Sequence, residues 1–169
     1  HESMAHAAFH DALTQLPNRL LLQDRIGQAL AAARREGCNI AVCYLDLDGF
    51  KAVNDQHGHA AGDQLLKVIA GRLVAAVRPT DTVSRLGGDE FVLVLTSVID
   101  GDWMAILERL LKVAAEPVAL ASGAEVVVGL TVGVALASQA DEASPAELIE
   151  RADHVMLAGK RSGKGRVFV

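Results

Sequence analysis

Ser84-Arg-Leu-Gly-Gly-Asp-Glu-Phe-Val-Leu-Val94 is the stretch on which the reading of this chain turns. Two short apolar runs, Thr82 to Leu86 and Phe91 to Leu95, flank Gly87-Gly88, which predicts a β-hairpin whose tight turn needs positive φ. Without a Cβ at the tip, a phosphate or ribose can approach the backbone closely, and the N–H groups can point at an anion. Asp89 and Glu90 follow at once. Adjacent carboxylates would repel each other and any phosphate unless a divalent cation lay between them, which points to Mg²⁺ or Mn²⁺. A solvated acidic turn is the competing reading of these residues.

Working outward, Asn18 is placed to cap a helix in which Leu21, Leu22, Ile26, Ala29, Leu30 and Ala33 recur at helical spacing until Gly37. Asn39 to Leu47 is apolar throughout, so it is expected to be a central strand, with Asp46 and Asp48 at its C-terminal end, where ligands commonly bind. A short helix over Gly49 to Gln56, a turn at His57-Gly58-His59 and a longer helix from about Ala60 to Val77 come next. Asp63 falls in the first turn of that helix, where a carboxylate suits the macrodipole. Beyond the hairpin, Asp102 to Ala115 reads as an amphipathic helix, and Pro117 to Leu120 and Glu125 to Leu136 as strands. Ser144-Pro145-Ala-Glu147 is an N-cap, a first-turn proline and a capping acid, opening a helix to about Lys160. Arg166 to Val169 closes the chain as a strand. This order predicts an α+β fold, a mainly antiparallel sheet with helices packed on it.

The 169 residues are expected to form one domain over 11–169, preceded by a lead-in helix to His10. His1-Glu2-Ser3 reads as an expression remnant. With 51% hydrophobic but only 4% aromatic residues, the core must be built from Ala, Val, Leu and Ile. A net charge of −5 argues against a nucleic-acid-tracking surface but leaves room for a nucleotide held by local cations. Cys38 and Cys43 lack metal-ligand companions and are expected to be reduced thiols. His57 and His59 flank a glycine without zinc spacing, and a metal role for them is rejected. There is no membrane-length apolar run and no signal peptide before Asp11, so a cytoplasmic domain without membrane contact is expected.

Gly87-Gly88-Asp89-Glu90-Phe91 spells the GGDEF signature, and the chain resembles the GGDEF family of diguanylate cyclases. The companions stand in the family's order: Asp11-Ala-Leu-Thr-Gln-Leu-Pro-Asn-Arg19, Asp46-Leu-Asp-Gly-Phe-Lys51, Asn54-Asp55, Gly58-His59, Gly62-Asp63 and the basic tail from Lys160 to Arg166. The resemblance covers about 11–169. It implies a ferredoxin-like palm of the class III nucleotide cyclase type, which joins two GTP into cyclic di-GMP across a homodimer and releases two pyrophosphates.

It also implies roles. Asp46, Asp89, Glu90 and the Leu47 carbonyl match the metal ligands, and Glu90 alternatively matches the group that takes the 3′-hydroxyl proton. Asn54 and Asp63 match the guanine-reading pair. Lys160, Lys164, the backbone N–H groups of the turn at Gly49, Phe50 and Lys51, and the Gly87-Gly88 turn are expected around the phosphates. Arg78 and Asp81 resemble the product-binding inhibitory pair, with Arg85 between the two sites. Several positions depart from pattern: Gly159 stands for Ala, Lys164 for Arg, Gly165 for Asn, Leu157 for Tyr and Gln15 for Gly. Lys in place of Arg loses the bidentate fork, which bears on triphosphate affinity. A binding module that regulates a neighbouring EAL-type phosphodiesterase domain is the second functional reading. The intact acids favour the first.

Overall fold

The computed structural model describes residues 2–99 and 101–169, the first two of these by backbone alone. His1, at the start of the expected remnant, lies outside the described residues. The elements run α1 (Glu2–Phe9), α2 (Arg19–Glu36), β1 (Asn39–Asp48), α3 (Phe50–His57), α4 (His59–Ala76), β2 (Thr82–Gly87) and β3 (Glu90–Val98). They continue with α5 (Asp102–Ala114), β4 (Val118–Ala119), β5 (Glu125–Val126), β6 (Gly129–Ala137), α6 (Pro145–Lys160) and β7 (Val167–Phe168). The main sheet has the order β2-β3-β1-β6-β7, antiparallel except for β6 with β7. β1 is central, as its unbroken apolar run predicts. The two cysteines are free, Cys43 buried within β1 and Cys38 half-buried.

Strand alternation divides the core. Ala41, Cys43, Leu45 and Leu47 of β1 pack with Leu65, Ile69 and Leu73 of α4 and Leu107 and Leu110 of α5. Ile40, Val42 and Tyr44 face the other way, onto Leu22 and Ile26 of α2 and Leu148, Ala152 and Met156 of α6. Asp46 continues this second set, so parity alone sends its carboxylate toward the α2/α6 side, at the end of the strand.

Capping follows the sequence. The Asn18 side chain accepts from the Leu21 amide and Ser144 from the Glu147 amide, while Gly37, in the left-handed region, ends α2. α6 lies unusually close to the sheet because of Gly133 on β6: a Cβ there would sit 2.3 Å from the Ala152 carbonyl oxygen. The expected strand from Glu125 to Leu136 is two strands in different sheets. β5 pairs with β4 in a small antiparallel hairpin, and only from Gly129 does the chain join β1. The unbroken apolar run concealed the break, since Val126 and Val128 are buried on either side of an exposed Val127.

Candidate active site

The hairpin tip and the end of β1 meet. Glu90 lies opposite Asp46 in the β1–β3 register, and the Leu47 amide donates to the Asp89 carbonyl at 3.2 Å. Gly87 and Gly88 take positive φ, 149° and 47°, the conformation the tip needs. The tip is clamped from below. Arg85 donates to the Gly88 carbonyl at 3.0 and 2.8 Å and pairs with Asp11 at 2.9 Å. Asp11 also accepts from the amide and hydroxyl of Thr14. Burial opposes ionisation of Asp11, but the bonds from Thr14 and Arg85 outweigh it and hold its carboxyl below the ordinary range.

The Asp46 and Asp89 carboxyls crowd each other. Burial first, then the charge of Asp46 and a hydrogen bond shared with it, lift Asp89 to about 6. Lys160, in the last turn of α6, is hydrogen-bonded to Asp46 and lies 3.7 Å from Asp48. Burial alone would lower the Lys160 ammonium, but those carboxylates raise it on balance. One ammonium does not satisfy the set. Oδ1 of Asp46 and Oδ1 of Asp48 are buried without a hydrogen-bond partner among the described residues, an arrangement that costs free energy unless a cation or donor completes it.

Asp48 is otherwise occupied. Its Oδ2 accepts from the Thr131 hydroxyl at 2.7 Å and the Gly165 amide at 3.2 Å, which ties the basic tail to the end of β1. Gly165 adopts φ 74°, which explains how glycine serves there in place of asparagine, another residue that tolerates this region. Lys164, beside the anchor, is exposed. Gly159 in place of alanine is also accounted for: a Cβ would come within 2.1 Å of the Phe168 ring, which packs on the last turn of α6 next to Lys160.

Asn54 is held on α3 against Gly62 of α4, where a Cβ would lie 1.8 Å from the Asn54 Oδ1. That oxygen is buried and unpartnered. Gly62 therefore makes the space for a carboxamide one residue from Asp63, itself exposed. Phe50 and Lys51 form the first turn of α3, where amides have no intrahelical acceptor.

Arg78 and Asp81 form a separate pair before β2. Asp81 Oδ2 accepts from the Arg78 amide and Nε, both at 3.0 Å, and Oδ1 accepts from Arg78 Nη2 at 3.0 Å and the Thr96 amide at 3.1 Å. Arg78 Nη2 also donates to the Thr96 carbonyl at 2.6 Å. A cavity of about 490 Å³ between α4 and α5 opens beside Arg78 and is lined also by Arg72 and Arg109. Arg85 is not brought to this pair; it serves the hairpin tip at the other end of β2.

Two residues of the acid site were not anticipated. Tyr44, two residues before Asp46 on the same face of β1, donates its hydroxyl to Glu90 Oε2 at 2.8 Å. Asp153 of α6 has its carboxyl raised by burial first and then by the charge of Glu90, with Asp46 contributing. Each carried a signal in the sequence: Tyr44 is in phase with Asp46 at strand spacing, and Asp153 is two helical turns before Lys160.

The donors at the strand end are all oxygens of carboxylates, and they leave buried acceptor atoms unfilled. That chemistry fits a hard divalent cation such as Mg²⁺ or Mn²⁺. As the side chains stand, with Lys160 on Asp46, no three acidic, histidine or cysteine side chains among the described residues converge closely enough to hold an ion. Among the same residues no helix is long and apolar enough to cross a membrane.

The sequence matches the family described as diguanylate cyclase, GGDEF domain, over residues 8–166. It is 40% identical to the diguanylate cyclase TpbB of Pseudomonas aeruginosa over 96% of this chain, and 45% identical to the bifunctional diguanylate cyclase/cyclic di-GMP phosphodiesterase MucR of the same organism over 93%. The chain spans only 38% and 23% of the length of those two relatives. Among solved structures, the GGDEF domain of TpbB superposes with a TM-score of 0.88 at 39% identity, covering 94% of this chain and 92% of that one. The GGDEF domain of DgcB from Caulobacter crescentus, in complex with c-di-GMP, gives 0.85 at 30% identity, with 95% of each chain covered. The α+β fold is thus that of known relatives, and the chain belongs to the GGDEF family of diguanylate cyclase domains.

Proposed function

We propose that this chain condenses two GTP molecules into cyclic di-GMP, with release of two pyrophosphates, each domain of a facing pair holding one GTP. The observation that carries the reading is the meeting of Asp46, Asp89 and Glu90 at the end of β1, with buried acceptor oxygens left unfilled. Asp46, Asp89 and the Leu47 carbonyl would hold Mg²⁺ or Mn²⁺. Bound there, such ions would activate a ribose 3′-hydroxyl and offset the charge of the triphosphate.

The remaining work falls to the protein. Glu90 is the group of this set that takes the proton from the 3′-hydroxyl. Asn54 and Asp63 read guanine, the carboxylate accepting from its N1–H and N2–H and the carboxamide meeting the base edge. Lys160 would turn from Asp46 to the phosphates when nucleotide binds, with Lys164 of the basic tail as the second cation. The Phe50 and Lys51 amides and the Gly87-Gly88 turn complete the phosphate cradle.

Feedback by cyclic di-GMP is proposed at Arg78 and the adjoining cavity. The Asp81 side chain is fully sheltered while that of Arg78 is 37% exposed, so the outer edge of the guanidinium is what the product meets.

Product formation from GTP and Mg²⁺ at high protein concentration tests the reading, with Asp89→Ala as the control. Cyclic di-GMP from the wild type, abolished in the variant, is the expected result. GTP binding without turnover in the wild type would instead assign a regulatory binding module, for example beside an EAL-type phosphodiesterase domain.

A further inference from the structure

We infer that Tyr44 is a positioning residue for Glu90, and through it for the condensation; the inference rests on the cyclase reading above. Tyr44 is 4% exposed and stands in a strand whose other residues from Ile40 to Leu45 are aliphatic or small. A leucine would fill the same space. A tyrosine there must find a partner for its hydroxyl, and the partner is Glu90 Oε2, at 2.8 Å. The bond crosses from β1 to β3 and is made to a carboxylate, the stronger kind of hydrogen bond.

Glu90 needs such a tether. It opens β3 directly after the tip, with Asp89 beside it, Asp46 opposite in register, and the negative charge of Asp153 acting from α6. Every one of these neighbours is acidic. A glutamate with three rotatable bonds among like charges has no reason to hold one direction; repulsion favours swinging it outward. The Tyr44 phenol is a neutral donor fixed by the α2/α6 core, in which it packs with Ile40, Val42 and Val92. It commits one Glu90 oxygen to the protein and leaves the other for substrate chemistry. Losing such orientation is costly to a rate even when binding is untouched.

The opposite dependence is the rival account: Glu90 merely satisfies a buried hydroxyl, and Tyr44 is core. The two differ in what Tyr44→Phe does. A core role predicts an unchanged rate and a stability little changed, since the hydroxyl and its need for a partner disappear together. Positioning predicts that kcat falls about tenfold, that KM for GTP stays within about twofold, and that the unfolding temperature does not drop.

A double-mutant cycle followed with radiolabelled GTP closes the argument. On a Glu90→Gln background, Tyr44→Phe is expected to cost nothing further. An equal loss in both backgrounds, or an unchanged kcat in the single variant, overturns the inference.

Tyr44 is the sole tyrosine of the chain, so protein labelled with ¹³C at the phenol carbon gives one resonance. That resonance is expected to move when Mg²⁺ is added without nucleotide, and to stop moving in Glu90→Gln. If the wild type makes no cyclic di-GMP yet the resonance responds, the cyclase reading fails while the Tyr44–Glu90 coupling stands. If the resonance ignores Mg²⁺, the coupling fails.

Discussion

Two acid–base pairs sit at opposite ends of the β2–β3 hairpin, and they differ in what they leave over. Around Asp81, each carboxylate oxygen accepts two hydrogen bonds and the side chain is shut from solvent. Around Asp46, one ammonium is shared with Asp48, two buried oxygens have no partner, and Asp89 is pushed toward neutrality. A satisfied buried carboxylate staples the chain: it fixes the turn after α4 to Thr96 of β3. A carboxylate left short of positive charge is a poor staple and a good receptor for a cation. The family pattern assigns the two acids to different sites, and the hydrogen-bond accounting gives the physical difference between them.

The comparison breaks most readily by mutation. Asp46→Asn keeps the shape of the strand end and removes its charge. Cyclic di-GMP formation is expected to fall about 10³-fold, with the urea midpoint little changed. A large loss of stability in that variant would mean that the Asp46–Lys160 pair is structural after all. Asp81→Ala is the mirror case. It leaves the Thr96 and Arg78 donors without their acceptor and is expected to cost about 2 kcal/mol of stability in urea unfolding. The rate per folded molecule, measured at low product, should hold.

A smaller effect concerns pH. Asp89 has a folded pKa of about 6, raised from 3.8, first by burial and then by Asp46. Between those values the folded protein holds a proton that the unfolded chain has lost. The stability Asp89 contributes without metal is therefore full below about 3.8 and is lost as pH rises toward 6. In a chelator, Asp89→Asn should be free of this decline, so its stability relative to wild type should rise across that window. A flat difference would show that Asp46 and Asp89 do not crowd each other in solution.

Most of the fold was legible because its signals are local. The apolar run of β1, the Asn18 and Ser144 caps and the Gly87-Gly88 turn each announce an element, and each is present. The Glu125 to Leu136 run misled because which sheet a strand joins is a tertiary matter: β5 turns back onto β4, a choice that apolar residues on both sides of Gly129 do not record.

The site was legible as a set of residues and less so as a set of contacts. The meeting of Asp46 with the hairpin tip was implied by the family resemblance, which assigns Asp46 and Asp89 to one metal site. That Arg85 would bond Asp11 and Gly88 rather than join Arg78 depended on Asp11 returning beneath the tip from 74 positions away. Gly62 reads only as part of the Gly62-Asp63 companion and Gly159 as a departure; their purpose, room for Asn54 and for the Phe168 ring, exists only once the helices are packed.

On the reading proposed above, the strand-end acids form a divalent-cation site that Lys160 guards when no nucleotide is bound. Mn²⁺ binding followed by electron paramagnetic resonance tests it directly, in wild type, Lys160→Met and Asp46→Asn, without nucleotide. Removing the ammonium should tighten Mn²⁺ binding relative to wild type, and removing the Asp46 charge should weaken or abolish it. Equal affinity in all three proteins would mean that these acids are not a cation site.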